Sequence, residues 1–401
     1  MTKEFVQSEI KLTIGLLVSN RIKYIRRVME ALKPLLEAVS CELIAVDTKG
    51  AEGDGSIDVV REYTDKIYPF VWCNDFAAAR NVTLEHASGE WYMYLDDDEV
   101  FEDAQEIIDF FNSGEYKNYG AGYYGVKNHK ADGSETMTVV GRMVRRTERT
   151  CFVGRVHECF NQVFEPYKAF SSYVHHYGYC FENEEENKAH QNRNIALLQQ
   201  EINESGYTPR MCAQLMQELL SCKETIESGF CFFEQCIDKV VQENGAEDSC
   251  TQWMLVASVR CFSVLDKYEE MLVQARRILQ NYTLNQVAQL ALAGVIIAAS
   301  ASKGKVSAIL NYAPLYYNAW NWLKTHEREV IPQKQLDFPK FMTQDYAVQV
   351  FQVAATCANA VKDYKLAYTY WEQLPWADPT FDGNKYLGEM QKTLVGLEQG
   401  V

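Results

Sequence analysis

Short apolar runs alternate with helix-type patterns along the N-terminal part of this chain. Each run is brief and rich in β-branched or aromatic side chains, which is typical of strands. The predicted strands cover residues 11–18, 42–48, 66–72 and a run beginning at Trp91, and the predicted helices cover residues 21–37, 57–63 and 75–87. Strands that alternate with helices form parallel sheets, which bind ligands at the carboxyl ends of their strands. The pattern predicts an α/β domain with a mostly parallel, Rossmann-like sheet.

The fourth strand ends in three consecutive carboxylates, Asp96, Asp97 and Asp98. Because like charges this close repel each other, a bound cation would stabilise them, and hard oxygen ligands suit Mg²⁺ or Mn²⁺. In an extended segment, Asp96 and Asp98 face the same side, so these two are the predicted metal ligands and Asp97 points elsewhere. The alternative interpretation is an acidic loop that caps the following helix.

Other polar residues follow the first two strands. Ser19 and Asn20 come directly after the first strand, and Asp47 ends the second. Since the carboxyl ends of parallel strands meet at one edge, we expect these residues to lie beside the three aspartates. A carboxylate at Asp47 can accept hydrogen bonds from a nucleobase or ribose, or it can simply initiate the turn that follows.

The segment Asn74–Asp75–Phe76–Ala77–Ala78–Ala79–Arg80–Asn81 places an arginine on the helix before the acidic strand. Asp75 is a candidate cap for that helix. A permanently charged guanidinium at Arg80 suits a diphosphate, and the alternative is an ion pair with the surface residue Glu85. The later cluster Arg142, Arg145, Arg146, Arg149 and Arg155 either balances an anionic ligand or forms a solvated strand face.

Two histidine-containing segments supply further candidate groups. In Val156–His157–Glu158, Glu158 is a candidate general base, and His157 would position substrate from the opposite face of a predicted strand. The pair His175–His176 offers an imidazole that, with Asp98, would form a mixed nitrogen and oxygen site favouring Mn²⁺. Buried structural histidines are the alternative.

The strand patterns stop near residue 183, and the remainder predicts a succession of helices. Residues 230–240, 268–279 and 364–374 share an aromatic, small and bulky pattern like the second helix of a tetratricopeptide repeat, although their spacing is irregular. We therefore predict two domains, residues 1–182 and 183–401, the second all-α and tetratricopeptide-like.

Composition excludes several classes of protein. The formal net charge of −16 disfavours a nucleic-acid partner. The longest apolar run, residues 287–299, is too short to span a bilayer and predicts a packed helix. The N-terminus lacks the pattern of a signal peptide, and the 12 cysteines show no CxxC pair, so we expect buried free thiols and a cytoplasmic location.

Residues 11–179 together resemble a family 2 glycosyltransferase with the GT-A fold. The DxD motif of that family matches Asp96 and Asp98, its nucleotide-contacting acid matches Asp47, and its ARN segment matches residues 79–81. By this resemblance the DxD carries the metal and the diphosphate of a nucleotide sugar.

A narrower resemblance is to a bacterial branch that includes peptide S-glycosyltransferases with a tetratricopeptide-like C-terminal half, as well as cell-surface sugar transferases. Its motifs match residues 74–81, 142–145, 156–158 and 176–179, with Gly141 standing where the branch often has an arginine. By this match His176, rather than His175, is the third metal ligand.

The resemblance implies an inverting, metal-dependent transfer of a hexose or N-acetylhexosamine from a UDP-sugar to a protein or peptide side chain. The implied nucleotide-sugar residues are Ser19, Asn20, Asp47, Asn74, Asp75, Arg80, Asp96, Asp97 and Arg145. The implied Mn²⁺ or Mg²⁺ ligands are Asp96, Asp98 and His176, and the implied catalytic residues are Glu158 and His157. The helical half would present the acceptor or form a homodimer.

Three alternatives remain. The acceptor could be a cell-surface polysaccharide or a lipid-linked saccharide. The chain could be a non-catalytic helical interaction protein with a vestigial transferase domain, although intact motifs disfavour that. A nucleotidyltransferase is disfavoured because residues 17–20 lack the glycines of a nucleotide loop.

Overall fold

A computed structural model describes residues 4–181, 183–326, 344–377 and 386–399 of the chain. Two compact units, Met1–Glu204 and Ser205–Val401, each have a hydrophobic core. The predicted order, an α/β domain followed by an all-α region, is confirmed. The division falls at the end of helix α5 (Glu184–Ser205), whereas the sequence placed the boundary before it. Ion pairing of Arg155 with Glu204 ties this helix to the first unit.

The first unit is built on an eight-stranded sheet with the order β3-β2-β1-β4-β7-β6-β10-β5. The strands are β1 (Leu12–Val18), β2 (Cys41–Asp47), β3 (Ile67–Pro69), β4 (Trp91–Asp96), β5 (Glu99–Phe101), β6 (Ala121–His129), β7 (Glu135–Arg145) and β10 (Tyr167–His176), with a separate hairpin of β8 (Phe152–Val153) and β9 (Cys159–Phe160). Strands β1 to β4 are parallel, and β7 is antiparallel to both β4 and β6. Since β10 is parallel to β6, the carboxyl ends of β1, β2, β4, β6 and β10 share one edge.

Helices connect and cover these strands. They are α1 (Ile22–Ala38), α2 (Ser56–Val60), α3 (Phe76–Glu85), α4 (Gln105–Asn112) and α5, with short 3₁₀ turns at Gly50–Glu52 and Glu115–Asn118. The helices and strands predicted up to β4 are all present, most of them with similar bounds. The third strand is shorter than predicted: its ladder ends at Pro69, which has no N–H to donate, and Val71 and Trp72 lie in the loop beyond.

The core of the first unit follows directly from the apolar patterns. All of β1 is buried, and in β4 only Asp96 is partly exposed. Helix α1 buries the residues on one face, Ile25, Val28, Met29, Leu32 and Leu35, which recur at helical spacing. Each such side chain contributes about 1.5–3 kcal/mol when fully buried, so this face holds α1 on the sheet and fixes the loop after β1.

A buried carboxylate, Glu42, stabilises the sheet near the start of β2, at the end of the strands opposite to their carboxyl ends. Glu42 accepts hydrogen bonds from Lys66 Nζ at 2.5 Å, Thr13 Oγ1 at 2.6 Å and both the N–H and Oγ of Ser88 at 2.6 and 2.7 Å. Burial alone would raise the pKa of Glu42, but these hydrogen bonds outweigh it and lower the pKa to about 2. The ionised carboxylate therefore stabilises the fold.

The variant Glu42→Gln is expected to lower the free energy of unfolding at neutral pH by roughly 2 kcal/mol. The effect is no larger because solvent screens the charge of the half-exposed Lys66. Because the folded-state pKa lies below the unfolded value of about 4.3, the wild-type advantage is complete above that pH and is lost as the pH falls towards 2. Urea unfolding across this pH range measures the difference in stability between the two proteins. Glu37→Gln, which replaces an exposed carboxylate, is the control. A pH-independent difference would contradict the assignment.

The second unit consists of helices around one hydrophobic cluster. They are α6 (Pro209–Ser221), α7 (Ile226–Asn244), α8 (Ser249–Val264), α9 (Tyr268–Asn281), α10 (Gln286–Ser302), α11 (Val306–His326), α12 (Gln344–Ala360), α13 (Tyr364–Trp371), α14 (Leu374–Ala377) and α15 (Leu387–Glu398). Helix α10 contains the long apolar run, is buried on nearly every side and packs against α8, α9, α11 and α12, which confirms the prediction of a packed helix. The tetratricopeptide-like character of this unit stays a prediction.

Two further expectations concern membranes and thiols. Among the helices that the structure describes, none combines the length and apolarity that a bilayer span needs. All 12 cysteines are free thiols, as predicted, but only Cys212, Cys236 and Cys261 are buried. Cys73 and Cys231 are exposed, and the other seven are partly buried.

Candidate functional site

The carboxyl edge of the sheet brings together the residues that the sequence placed there. The register pairs Val18 with Asp47 and Leu17 with Asp96, so the ends of β1, β2 and β4 are adjacent. Strand β10 adds His176 at the same edge, because His176 pairs with Glu99 on β5. The predicted convergence of Ser19, Asp47 and the aspartates is therefore observed.

The three aspartates do not share an extended segment. Strand β4 ends at Asp96, and Asp97 and Asp98 form a tight turn into β5. The prediction that Asp96 and Asp98 face one side of a strand is wrong, because the turn sends the three side chains to different partners. Asp96 reaches Arg80, Asp97 reaches Ser19, and Asp98 reaches Arg21 and His176.

Asp97 holds the loop after β1. Its Oδ2 accepts hydrogen bonds from the Ser19 N–H at 2.5 Å and from Ser19 Oγ at 2.9 Å. Burial, reinforced by the nearby charge of Asp98, raises the pKa of Asp97 to about 7 despite these bonds. Asp97 and Ser19 are both predicted to bind the nucleotide sugar, and in this structure they are hydrogen-bonded to each other.

Asp98 and His176 lie beside each other at this edge. Asp98 is buried, its Oδ2 accepts a hydrogen bond from Arg21 Nε at 3.1 Å, and its Oδ1 lies 3.6 Å from His176 Nε2. Among the described residues, Asp98 Oδ1 has no hydrogen-bond partner. Burial raises the pKa of Asp98 and lowers that of His176, so the site disfavours charge on either group unless a cation neutralises the carboxylate.

Space for such a cation is left by Gly178. A Cβ atom built on Gly178 would clash with His176 Nε2 and would lie 3.2 Å from Asp98 Oδ2. Any larger residue would fill the volume in front of the pair. An orphaned buried oxygen, a nearby imidazole nitrogen and an open cradle together fit a divalent cation with mixed oxygen and nitrogen ligands.

The predicted third ligand, Asp96, is directed elsewhere. Its Oδ1 accepts a hydrogen bond from Arg80 Nη2 at 2.6 Å, and its Oδ2 lies 3.5 Å from Arg142 Nη2. Burial alone would raise the pKa of Asp96, but the two guanidinium charges outweigh it and hold the pKa below its usual range. Across the described part of the chain, no group of three or more His, Cys, Asp or Glu side chains is arranged to hold a metal ion. The remaining ligands would come from substrate and water, as is usual for Mg²⁺.

Arg80 bridges two carboxylates in the interior. Its Nε donates to Glu158 Oε1 and its Nη2 donates to Asp96, while its guanidinium lies 4.4 Å from the centre of the Tyr94 ring. Arg80 is only 3% exposed, and its carboxylate partners are Glu158 and Asp96 rather than Glu85. Its contact with a diphosphate stays a prediction. In this structure, Arg80 holds Glu158 in position.

Helix α3 is tied to the loop that carries Glu158. The Phe76 N–H donates to the Arg155 carbonyl at 2.8 Å, and the Asn81 amide exchanges two hydrogen bonds with the Phe152 backbone at 2.8 and 3.1 Å. Asp75 caps α3 by accepting from the Ala78 N–H at 2.8 Å, as its position predicted. These contacts dock helix α3 on the hairpin of β8 and β9.

Glu158 and His157 lie in the loop between β8 and β9, not in a strand as predicted. The two strands are so short that residues 154–158 form the turn of the hairpin, and His157 has a left-handed φ of 54°. Strand alternation therefore does not separate the two side chains.

The other predicted nucleotide residues have local partners. Asn20 Oδ1 accepts from the Asp54 N–H at 3.1 Å, and Asn74 Oδ1 accepts from Trp72 Nε1 at 3.0 Å. Asp47 Oδ1 accepts from the N–H groups of Lys49 and Gly50 at 3.0 and 2.9 Å, which is the turn-initiating role considered above.

Arg145 is not brought to the site, whereas Arg142 is. The antiparallel register pairs Arg145 with Trp91 at the start of β4, and Arg145 donates to the Lys117 carbonyl at 3.0 Å. Arg142, three residues earlier on β7, lies near the end of β4 and donates to the buried Glu99. Burial raises the pKa of Glu99 to about 8 although Arg142 opposes the shift.

Sequence reasoning missed several groups at this edge, notably Arg21, Glu99 and Asn128. Asn128 is the next-to-last residue of β6, and its Oδ1 lies 2.7 Å from His176 Nδ1. No motif in the sequence marked Asn128, because its contact with His176 depends on the pairing of β6 with β10.

Together, the parallel sheet and the acidic and cationic groups at its carboxyl edge form the kind of α/β domain that binds ligands at that edge. Residues 13–174 match the model of the family described as "Glycosyl transferase family 2", and they form a domain of that family.

A relative by sequence is the SPbeta prophage-derived glycosyltransferase SunS of Bacillus subtilis (strain 168), which is 26% identical over 219 residues. The match covers 50% of this chain and 47% of that protein, so the chain spans about half the length of this relative.

Two solved structures were also matched. The S. aureus TarS 1-349 structure in complex with UDP-GlcNAc is 12% identical with a TM-score of 0.32, over 76% of this chain and 90% of that one. The mannosyltransferase PcManGT from Pyrobaculum calidifontis, in complex with GDP-Man and Mn²⁺, is 13% identical with a TM-score of 0.33, over 83% and 89%.

Proposed function

We propose that this chain is an inverting, metal-dependent glycosyltransferase that moves a hexose or N-acetylhexosamine from a UDP-sugar to a protein or peptide side chain. The observation that carries the proposal is the buried Asp98–His176 pair with its unpartnered Asp98 Oδ1, set at the edge of a family 2 domain. A cation there would face the diphosphate of a nucleotide sugar bound across the ends of β1 and β2.

On the donor side, Asp98 and His176 would hold Mn²⁺ or Mg²⁺. When bound, the cation supplies a Lewis acid that offsets the charge developing on the departing diphosphate. Asn20 and Asp47 flank the proposed uridine site at the ends of β1 and β2. Asn74 and Asp75 stand at the start of α3, and we assign them to the same donor surface.

On the acceptor side, Glu158 is the proposed general base. The acceptor oxygen or sulfur attacks the anomeric carbon, the bond from that carbon to the UDP oxygen breaks, and the acceptor proton passes to Glu158. Arg80, buried and bound to Glu158, fixes the direction of that carboxylate. A thiol acceptor would depend less on the base, because thiols are partly ionised near neutral pH.

The helical unit, residues 205–401, is the proposed site of acceptor binding or self-association. Extended helical surfaces suit an extended peptide. The free thiols support a reducing, cytoplasmic setting for this activity.

A donor screen tests the proposal. The full chain is incubated with Mn²⁺ and each UDP-hexose or UDP-N-acetylhexosamine, with candidate peptides as acceptors, and the products are identified by mass spectrometry. We expect one UDP-sugar to give a peptide heavier by one sugar residue, in a reaction that EDTA stops and Mn²⁺ restores. Transfer that persists in EDTA would contradict the metal assignment, and transfer only to a saccharide would contradict the peptide acceptor.

A further inference from the structure

The hydrogen bond between Asn128 and His176 specifies which nitrogen of the imidazole carries a proton. Asn128 Oδ1 lies 2.7 Å from His176 Nδ1. An amide oxygen only accepts, so His176 Nδ1 is the donor. The orientation of the Asn128 amide is set in turn by Thr138 on β7, whose Oγ1 accepts from Asn128 Nδ2 at 3.3 Å.

His176 is therefore neutral with an unprotonated Nε2. The hydrogen bond from Nδ1 to Asn128 accounts for the one proton that a neutral imidazole carries. With that proton on Nδ1, the lone pair of Nε2 faces Asp98 Oδ1 across 3.6 Å.

An ordinary ion pair is the competing interpretation of this contact. A protonated Nε2 would donate to Asp98 at hydrogen-bonding distance, near 2.8 Å. Instead, the two atoms are 3.6 Å apart and Asp98 Oδ1 has no partner among the described residues. Two electron-pair donors that face each other across this gap are suited to share a cation.

We propose that Asn128 is a positioning residue: it holds His176 in the Nδ1–H tautomer and so presents Nε2, with Asp98 Oδ1, to a divalent cation. This inference rests on the proposed function and adds a residue to it. The backbone supports the arrangement, because Asn128 and His176 are direct partners on neighbouring strands β6 and β10. A partner on the second nitrogen fixes ring orientation at metal sites and raises the basicity of the ligand.

Mn²⁺ binding by the full chain in the presence of UDP, measured by calorimetry, tests this inference. Asn128→Ala is expected to weaken Mn²⁺ binding about 10–100-fold, the usual effect of losing such a partner. Asn128→Asp keeps an accepting oxygen in place and should restore the affinity. Asn112→Ala removes an exposed amide hydrogen bond on α4 and serves as the matched control, with wild-type affinity.

A second readout needs no metal. The ¹⁵N chemical shifts of His176, assigned by comparison with His176→Gln, should show protonated Nδ1 in the wild-type protein and a mixture of tautomers in Asn128→Ala. Asn128→Ser, whose hydroxyl is too short to reach the ring, provides the same test if the alanine variant does not fold.

The outcomes distinguish the role of Asn128 from the existence of the cation site. Equal Mn²⁺ affinity for wild-type protein and Asn128→Ala would overturn the role of Asn128 alone. A protonated Nε2 in the wild-type protein would do the same. If the wild-type protein binds no Mn²⁺, the proposed cation site fails and this inference fails with it.

Discussion

Replacing Asp98 with alanine should reduce sugar transfer by about 10²–10³-fold or more while the chain keeps its fold. Asp98 Oδ2 accepts from Arg21, but Oδ1 is a buried acceptor that no described residue satisfies, and we propose that it binds the cation. Its removal also relieves repulsion with Asp97, whose pKa it helps to raise. The rate of UDP release with donor and acceptor measures the loss, and a thermal melt measures the fold.

An exposed carboxylate supplies the control for that experiment. Asp109 on α4 accepts one hydrogen bond from Gln105, and Asp109→Ala should leave transfer unchanged. Full turnover in Asp98→Ala would remove Asp98 from the cation site. Loss of both turnover and fold would instead show that the carboxylate is structural.

The variant Arg80→Met should lower the free energy of unfolding by about 3–5 kcal/mol, because it leaves the buried carboxylate of Glu158 and the partly exposed carboxylate of Asp96 without their shared counter-charge. Breaking one partner of a buried ion pair is far more costly than replacing the whole group. Denaturant unfolding measures the change.

Two comparison variants isolate the cause. Arg26→Met removes an exposed pair with Glu62 and should cost at most about 1 kcal/mol. Glu158→Gln keeps Arg80 paired with Asp96, so it should cost less stability than Arg80→Met and yet lower turnover without weakening UDP binding. If Arg80→Met is as stable as Arg26→Met, the bridge does not stabilise the interior.

The sheet was predictable because its signals are local. Each strand up to β4 shows as a brief apolar run, and parallel topology follows from the alternation with helices. The meeting of Ser19, Asp47 and Asp96 at one edge required nothing more than that topology. For the same reason, the helical second unit was evident from the change in pattern past residue 183.

The directions of the side chains were not predictable in this way. Whether Asp98 continues β4 or turns away depends on β5, a strand of three residues whose partner β10 lies far along the chain. The choice of Arg142 over Arg145 depends on the register of β7 against β4. The contact of Asn128 with His176 likewise depends on strand pairing, which spacing in the sequence does not specify.

The shared pairing of Arg80 limits how this protein can diverge. Replacing Arg80 leaves two carboxylates without their shared partner, so a change at Arg80 is penalised until Asp96 and Glu158 change as well. Either carboxylate can change alone at lower cost, because Arg80 then stays paired with the other. Descendant sequences are thus expected to lose one of the carboxylates before they lose Arg80.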